Sequence, residues 1–206
     1  MSRGRLITIE GLDGAGKTTL ANALARALAD RGVAAQLLRE PGGVALSERL
    51  RALVKDPALA IDARAEALLY AAARAQLVHA RLRPLLAGGA LVLLDRFVDS
   101  SLAYQGAGRE LGIDEVRALN RFATGGLEPD RTLLLRIAPA AGRERLSARG
   151  EDADRLEQEG GAFFARIAAA YEQLAREQPR RIVALDAGRP PQQVLADALA
   201  ALADLL

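Results

Sequence analysis

The chain has 206 residues, 50% of them hydrophobic, and a formal net charge of only +2. That is enough apolar material for one α/β domain with a substantial core, and a near-balanced charge without like-charged runs argues against a nucleic-acid or membrane-surface protein. Cysteine is absent, which excludes disulfides and thiolate metal sites; no apolar run is long enough to span a bilayer, and the first strand pattern begins too early for a signal peptide, so a cytoplasmic location is expected.

Leu6 to Glu10 is short, β-branched and apolar, the pattern of a buried strand. It runs into G-x-x-x-x-G-K-T, with Gly11, Gly16, Lys17 and Thr18 at the fixed positions of a phosphate-binding loop. Leu20, Leu24 and Leu28 then recur at helical spacing until Gly32. The backbone of Gly11, Leu12, Asp13, Gly14, Ala15, Gly16, Lys17, Thr18 and Thr19 is expected to wrap a polyphosphate, with N–H groups and the helix N-terminus aimed at its oxygens. Lys17, read as an exposed loop lysine, supplies positive charge to the β- and γ-phosphates, and Thr18 reaches Mg²⁺. ATP and Mg²⁺ are the expected cofactors.

Val33 to Leu38 reads as a second strand, ending in a loop at Arg39-Glu40-Pro41-Gly42-Gly43. A helix from Ala45 is stopped by Pro57, and a long helical pattern from Ala63 to Leu86 fades near Pro84. Ala90 to Leu94 is a strand with almost no polar interruption, expected inside a parallel sheet, and it delivers Asp95-Arg96 at its carboxyl end. Ser100 to Gln105 begins a helix interrupted by Gly106 and Gly108, and Asp114 is placed as the N-cap of a helix through Ala123. Thr132 to Ile137 is the fourth strand, Ala140 to Ala148 a helix, and Arg149 to Arg155 a short charged segment. Ala162 to Glu177 returns to helix, Ile182 to Leu185 is the fifth strand, and Val194 to Leu206 closes the chain as a helix. The alternation predicts a five-stranded parallel sheet covered by helices on both faces, in one α/β domain spanning residues 1–206.

In such a sheet, ligands sit beyond the carboxyl ends of the strands. An Asp there, as at Asp95, is the expected Mg²⁺ partner, with a cap or loop ion pair as the plainer alternative. Arg96 is placed to face phosphoryl charge. A GTPase would need a guanine-reading Asn-Lys-x-Asp segment, and the two lysines, Lys17 and Lys55, are not in that context. The size and the charged stretch, a lid at about residues 149–156, suit a small kinase that excludes water on closing. His79, the single histidine, is read as a surface or dimer-face residue and not a catalytic base. The candidates at this point are a kinase of a nucleoside monophosphate, a deoxynucleoside kinase using Glu40 as base, and a nucleotide-binding regulator.

Gly-Leu-Asp-Gly-Ala-Gly-Lys-Thr-Thr, Arg-Glu-Pro-Gly-Gly, Tyr-Ala-Ala-Ala-Arg (Tyr70 to Arg74) and Asp-Arg-Phe-Val-Asp-Ser-Ser-Leu-Ala-Tyr-Gln-Gly (Asp95 to Gly106) stand in the order seen in bacterial thymidylate kinases, which the chain resembles from residue 6 to its last helix. The resemblance implies a P-loop kinase fold with a short lid and ATP- and Mg²⁺-dependent conversion of thymidine monophosphate to the diphosphate. It also implies a homodimer formed through the face that includes the long helix, and no nucleic-acid or membrane partner. By matching position, Asp13 would contact the deoxyribose 3′-hydroxyl, and Arg51 and Arg96 would hold the acceptor phosphate. Tyr70 would stack on thymine, Arg74 would donate to its O4, Ser101 and Gln105 would approach the base, and Tyr104 would lie against the sugar. Thr18 and Asp95 would serve the metal, Arg145 the ATP site, and Arg149 the transferring phosphoryl group, with Arg155 as second choice unless Asp154 holds it in a structural pair. Two departures stand out: Tyr70 replaces a more usual Phe, and Ser147 replaces an arginine between Arg145 and Arg149.

Overall fold

The computed structural model describes residues 3–148, 150 and 154–206. Among these, five strands form one parallel sheet in the order β2-β3-β1-β4-β5: β1 Arg5–Gly11, β2 Ala35–Arg39, β3 Leu91–Asp95, β4 Arg131–Arg136 and β5 Ile182–Asp186. The strand preceding the P-loop is therefore the middle one, hydrogen-bonded to β3 (Ile9 beside Asp95) and to β4 (Gly11 beside Leu135).

Alternation along the strands divides the core between two faces. Ile7, Ile9, Leu93 and Leu133 turn toward α1 (Lys17–Ala29) and α9 (Pro191–Ala201), where they meet Leu20, Leu24, Leu28, Val194 and Ala198. On the opposite face Leu6, Val92 and Leu94 pack on Leu77, Leu82 and Leu86, while Leu134 and Ile182 pack on Phe163, Ile167 and Leu174 of α8 (Gly161–Glu177). Leu24 has no solvent exposure. Leu24→Ala is expected to cost about 2–5 kcal/mol, read as a shift of the urea midpoint at unchanged slope.

Helix α2 (Ala45–Lys55) ends one residue before Asp56-Pro57. The long pattern from Ala63 is realised as α3 (Ala63–Leu77), a π-helical turn Val78–Leu82 and α4 (Arg83–Ala87), with His79 exposed on the turn. Pro84 is the physical reason: it has no N–H and its ring would crowd the carbonyl one turn earlier, that of Ala80, and a wider turn accommodates both. Gly106 and Gly108 do not interrupt the segment after β3, contrary to the sequence expectation. A short helix, α5 (Val98–Ser101), continues as a π-helical stretch Leu102–Gly108. These glycines permit close packing instead, since a Cβ on Gly108 would stand 2.7 Å from the Phe163 ring.

Asp114 is not the N-cap of α6 (Ile113–Thr124); Gly112 is, at φ 94°, and Asp114 lies in the first turn, where its charge favours the helix dipole. Helix α7 (Pro139–Ser147) follows β4, and the last helix stops at Ala201, short of the predicted Leu206. No helix among the described residues is long and apolar enough to cross a membrane.

Candidate active site

The site lies at the carboxyl ends of β1, β2 and β3, around a cavity of about 330 Å³. The P-loop leaves β1 at Gly11 and enters α1 through Gly16, which is left-handed and provides no side-chain cap. The first N–H groups of α1 are thus left for an anionic ligand. Leu12 and Ala15 turn their side chains into the core, so only their backbone can serve a phosphate.

Lys17 is not the exposed loop lysine that the sequence suggests. It is 8% exposed, and its ammonium donates to the carbonyls of Gly11 (3.2 Å) and Leu12 (2.9 Å). Burial, with the neighbouring Arg96 charge, pulls its pKa down to about 8 against the pull of Asp13 and Asp95. The Thr18 hydroxyl donates to Asp95 Oδ2 at 2.8 Å, so the two residues predicted for a metal are brought together from positions 77 residues apart.

Asp13 and Arg96 form the second element. Arg96 has a left-handed backbone (φ 69°), and its guanidinium donates to Asp13, to the Gly11 carbonyl (3.1 Å), to Ser100 Oγ (3.0 Å) and to the Tyr104 hydroxyl (3.1 Å). Tyr104 itself donates to Asp13 Oδ2 (2.8 Å). Burial opposes ionisation of Asp13, yet the Arg96 and Lys17 charges outweigh it and hold the carboxyl well below the usual range. Arg51 donates to the Pro41 carbonyl (3.0 Å) and lines the same cavity, as do Arg39 and Lys55.

At the other end of the cavity, Arg74 is 2% exposed and engaged on several sides. Its Nε donates to Glu40 Oε2 (2.7 Å), Nη1 to Ser101 Oγ (2.8 Å) and to Asn120, and Nη2 to the Phe97 carbonyl (2.9 Å). Four of its five N–H groups are thereby used. Burial pushes the Glu40 carboxyl up to about 7 despite Arg74, and its Oε1 is buried without a hydrogen-bond partner among the described residues. Its Oε2 is held by Arg74, which makes Glu40 the counter-ion of that guanidinium. Tyr70 is half-buried beside Arg74 and packs on the cluster that holds Leu12, Tyr104 and Phe163; burial raises its hydroxyl above the ordinary value.

Gln105 donates its amide to Glu66 (2.8 Å), a fully buried carboxylate that also binds Arg109 and Arg155. Asp154 pairs with Lys55 (2.8 Å), not with Arg155, whose guanidinium donates to Glu66 (2.6 Å) and to the Val54 carbonyl (3.0 Å). Arg155, within the stretch expected to be the lid, is thereby held by residues of α2 and α3. Arg145 lies outside the main cavity, donates to the Ala187 carbonyl (3.0 Å) and lines a second cavity of about 650 Å³ with Leu12 and Ile137. Arg149 and residues 151–153, half of the expected lid, lie outside the described residues.

The sequence reading missed Glu10 and Glu66. Glu10 has a detectable signal, a charged residue ending an otherwise apolar strand, and it is fully buried. Its carboxyl is raised by burial, while hydrogen bonds from Ser100 and Phe97 oppose the shift. Glu66 sits on an alanine-rich helix where nothing local separates it from a solvent-facing carboxylate.

Comparison with known proteins agrees with this geometry. The family model "Thymidylate kinase" matches residues 9–198. The chain is 47% identical to the thymidylate kinase of Deinococcus radiodurans over 99% of its own length and 98% of that protein's. It is 45% identical to the enzyme of the same name from Halorhodospira halophila, over 99% and 96%. Among solved structures, the crystal structure of thymidylate kinase from Ehrlichia chaffeensis superposes with a TM-score of 0.78 at 27% identity, covering 97% of this chain and 99% of that one.

Proposed function

The chain belongs to the thymidylate kinase family, and from that premise we propose how its own residues divide the work of moving a phosphoryl group from ATP to thymidine monophosphate. The transfer itself is the family's reaction: an oxygen of the acceptor phosphate bonds to the γ-phosphorus as the bond to the β,γ-bridging oxygen breaks, giving thymidine diphosphate and ADP. The acceptor oxygen is already a nucleophile, so no general base is needed, and catalysis is positioning plus charge neutralisation. The observation that carries the assignment is Asp13, whose carboxylate lies 3.8 Å from the Lys17 ammonium on the P-loop side and pairs with Arg96 on the acceptor side.

The α1 N-terminus and Lys17 take the donor phosphates, Arg96 and Arg51 take the acceptor phosphate, and Tyr70 and Arg74 receive the base. The fifth N–H of Arg74, which has no acceptor among the described residues, suits a carbonyl such as thymine O4, whereas cytosine would present a donor to a donor. A magnesium ion fits at Thr18 and Asp95, hard oxygens 2.8 Å apart. Among the described residues no group of three or more His, Cys, Asp or Glu is gathered for a metal, in keeping with an ion that draws its remaining ligands from water and phosphate. When bound, the ion supplies charge neutralisation at the β- and γ-phosphates. Measuring ADP release with ATP alone and with added thymidylate, deoxycytidylate or thymidine tests this reading; release that did not depend on thymidylate would defeat it.

The pKa of Lys17 gives a pH prediction. ATP phosphates bind the ammonium form, whose fraction in the free enzyme falls as pH rises through about 8. The KM for ATP is therefore expected to climb between pH 7 and 9, and Lys17→Ala, with most turnover lost, should show a flat KM over the same range. Because Lys17 is packed against the loop carbonyls, this variant also tests folding, and its circular dichroism should match that of the wild type.

We read residues 1–206 as one cytoplasmic domain with a lid at about 149–156, working as a homodimer. The adjoining helices α3 and α6 leave Leu68 and Phe122 exposed, Phe122 to 89%. Phe122→Asp is expected to shift sedimentation from dimer to monomer.

A further inference from the structure

Glu10 does not itself line the substrate cavity, yet its fully buried carboxylate accepts four hydrogen bonds, two of them from Ser100, which does line it. Oε1 accepts the backbone N–H groups of Phe97 (2.7 Å) and Ser100 (3.3 Å), and Oε2 accepts the hydroxyls of Ser100 and Tyr171 (2.9 Å). With its proton committed to Glu10, Ser100 Oγ has its lone pairs left for Arg96, which donates to it at 3.0 Å. The same carboxylate thus fixes the backbone just after Arg96 and the polarity of the hydroxyl that grips its guanidinium. Arg96 needs such support, because a non-glycine residue rarely adopts its left-handed backbone.

We propose that Glu10 is a positioning residue for phosphoryl transfer, acting through Ser100 to hold Arg96 in the pose that meets the acceptor phosphate. The proposal rests on the reading of Arg96 as a phosphate-binding arginine. Ser100 relays the effect, and Tyr171, which donates to Glu10 and sits 3.1 Å from Ser100 Oγ, completes the acceptor's shell without touching Arg96.

The test compares binding of thymidylate and of thymidine, which lacks the phosphate, by calorimetry, together with single-turnover rates. Ser100→Ala breaks the link while leaving Glu10 its backbone donors. It should weaken thymidylate binding and slow transfer by about tenfold each, with thymidine binding changed by less than about twofold. Glu10→Gln should reproduce this pattern, because its amide would present N–H where Ser100 and Tyr171 now donate, and the double variant should be no worse than the more damaging single one. Tyr171→Phe should leave the ratio of the two affinities at the wild-type value. Equal weakening of both ligands in Ser100→Ala, an unchanged ratio there, or multiplying losses in the double variant would overturn the link. Arg96→Lys separates the two levels: if it kept the full preference for thymidylate over thymidine, the phosphate reading would fall and this proposal with it, whereas a lost preference with Ser100→Ala unchanged would overturn the link alone. Ser100→Ala removes a single hydroxyl, so the test stands even if Glu10→Gln does not fold.

Discussion

Replacing Arg149 by alanine is expected to lower turnover by orders of magnitude while thymidylate affinity stays nearly intact. The transferring phosphoryl group carries charge that must be met by a cation, and an arginine supplied for this purpose can be worth about 10³–10⁵ in rate. The P-loop positions Leu12, Asp13, Gly14 and Ala15 contain no arginine. Arg155 is held by Glu66 and the Val54 carbonyl, and Arg145 is tied to the Ala187 carbonyl outside the main cavity. Arg96 already donates to four acceptors and is assigned to the acceptor phosphate. Arg149, followed by Gly150 in the Ser-Ala-Arg-Gly segment, is the remaining arginine of the lid region. A loss below about tenfold in single-turnover measurements, roughly 1.4 kcal/mol, would defeat this assignment and return the transition-state charge to Arg96.

Arg74→Ala is expected to damage the fold as well as base choice. Its guanidinium is the cation facing Glu40, and its removal strips Ser101, Asn120 and the Phe97 carbonyl of a buried donor. Breaking a buried pair by removing one partner costs about 3–5 kcal/mol, because the other charge is left stranded. The pH dependence has a definite sign. Burial holds the Glu40 carboxyl at about 7, above its ordinary value, so the folded state binds the proton more tightly than the unfolded chain. The stability this confers is full below the ordinary carboxylate pKa and is lost as pH rises toward 7. Without Arg74 the folded pKa rises further. The variant's deficit in Tm should therefore be larger at pH 8 than at pH 6, where Glu40 can take up a proton. A deficit independent of pH would mean that Glu40 is not the stranded charge. In the surviving folded enzyme, the KM for thymidylate should rise and the gap to deoxycytidylate narrow.

Much of the site was legible in the sequence where its signal is local. The strand–loop–helix of residues 6 to 28, the run Asp95 to Gly106, and the alternation of strand and helix are set by spacing along the chain, so they could be placed without coordinates. Their meeting followed from the parallel-sheet rule that carboxyl ends converge: Thr18 and Asp95 did come together, as did Asp13 and Arg96. Motif order carried the family, and with it the reaction.

Local pattern could not decide which charges are buried or whom they face. Glu10 and Glu66 read as ordinary carboxylates on a strand and a helix, but Glu10 meets Tyr171, 161 residues away, and Glu66 meets Arg155, 89 residues away. Arg155 reads as a lid cation until Glu66 is seen to hold it, and Lys17 as an exposed loop residue until its ammonium is found under the P-loop carbonyls. Gly106 and Gly108 read as helix breakers, yet they are what lets Ile113 and Phe163 close on the segment. Sequence alone determined the elements, their order and the P-loop chemistry, because those depend on backbone periodicity and short-range spacing. Only the tertiary structure decided the pairing and burial of the charged side chains, because an ion's partner is chosen by proximity in space, and desolvation acts only once the chain has closed around it.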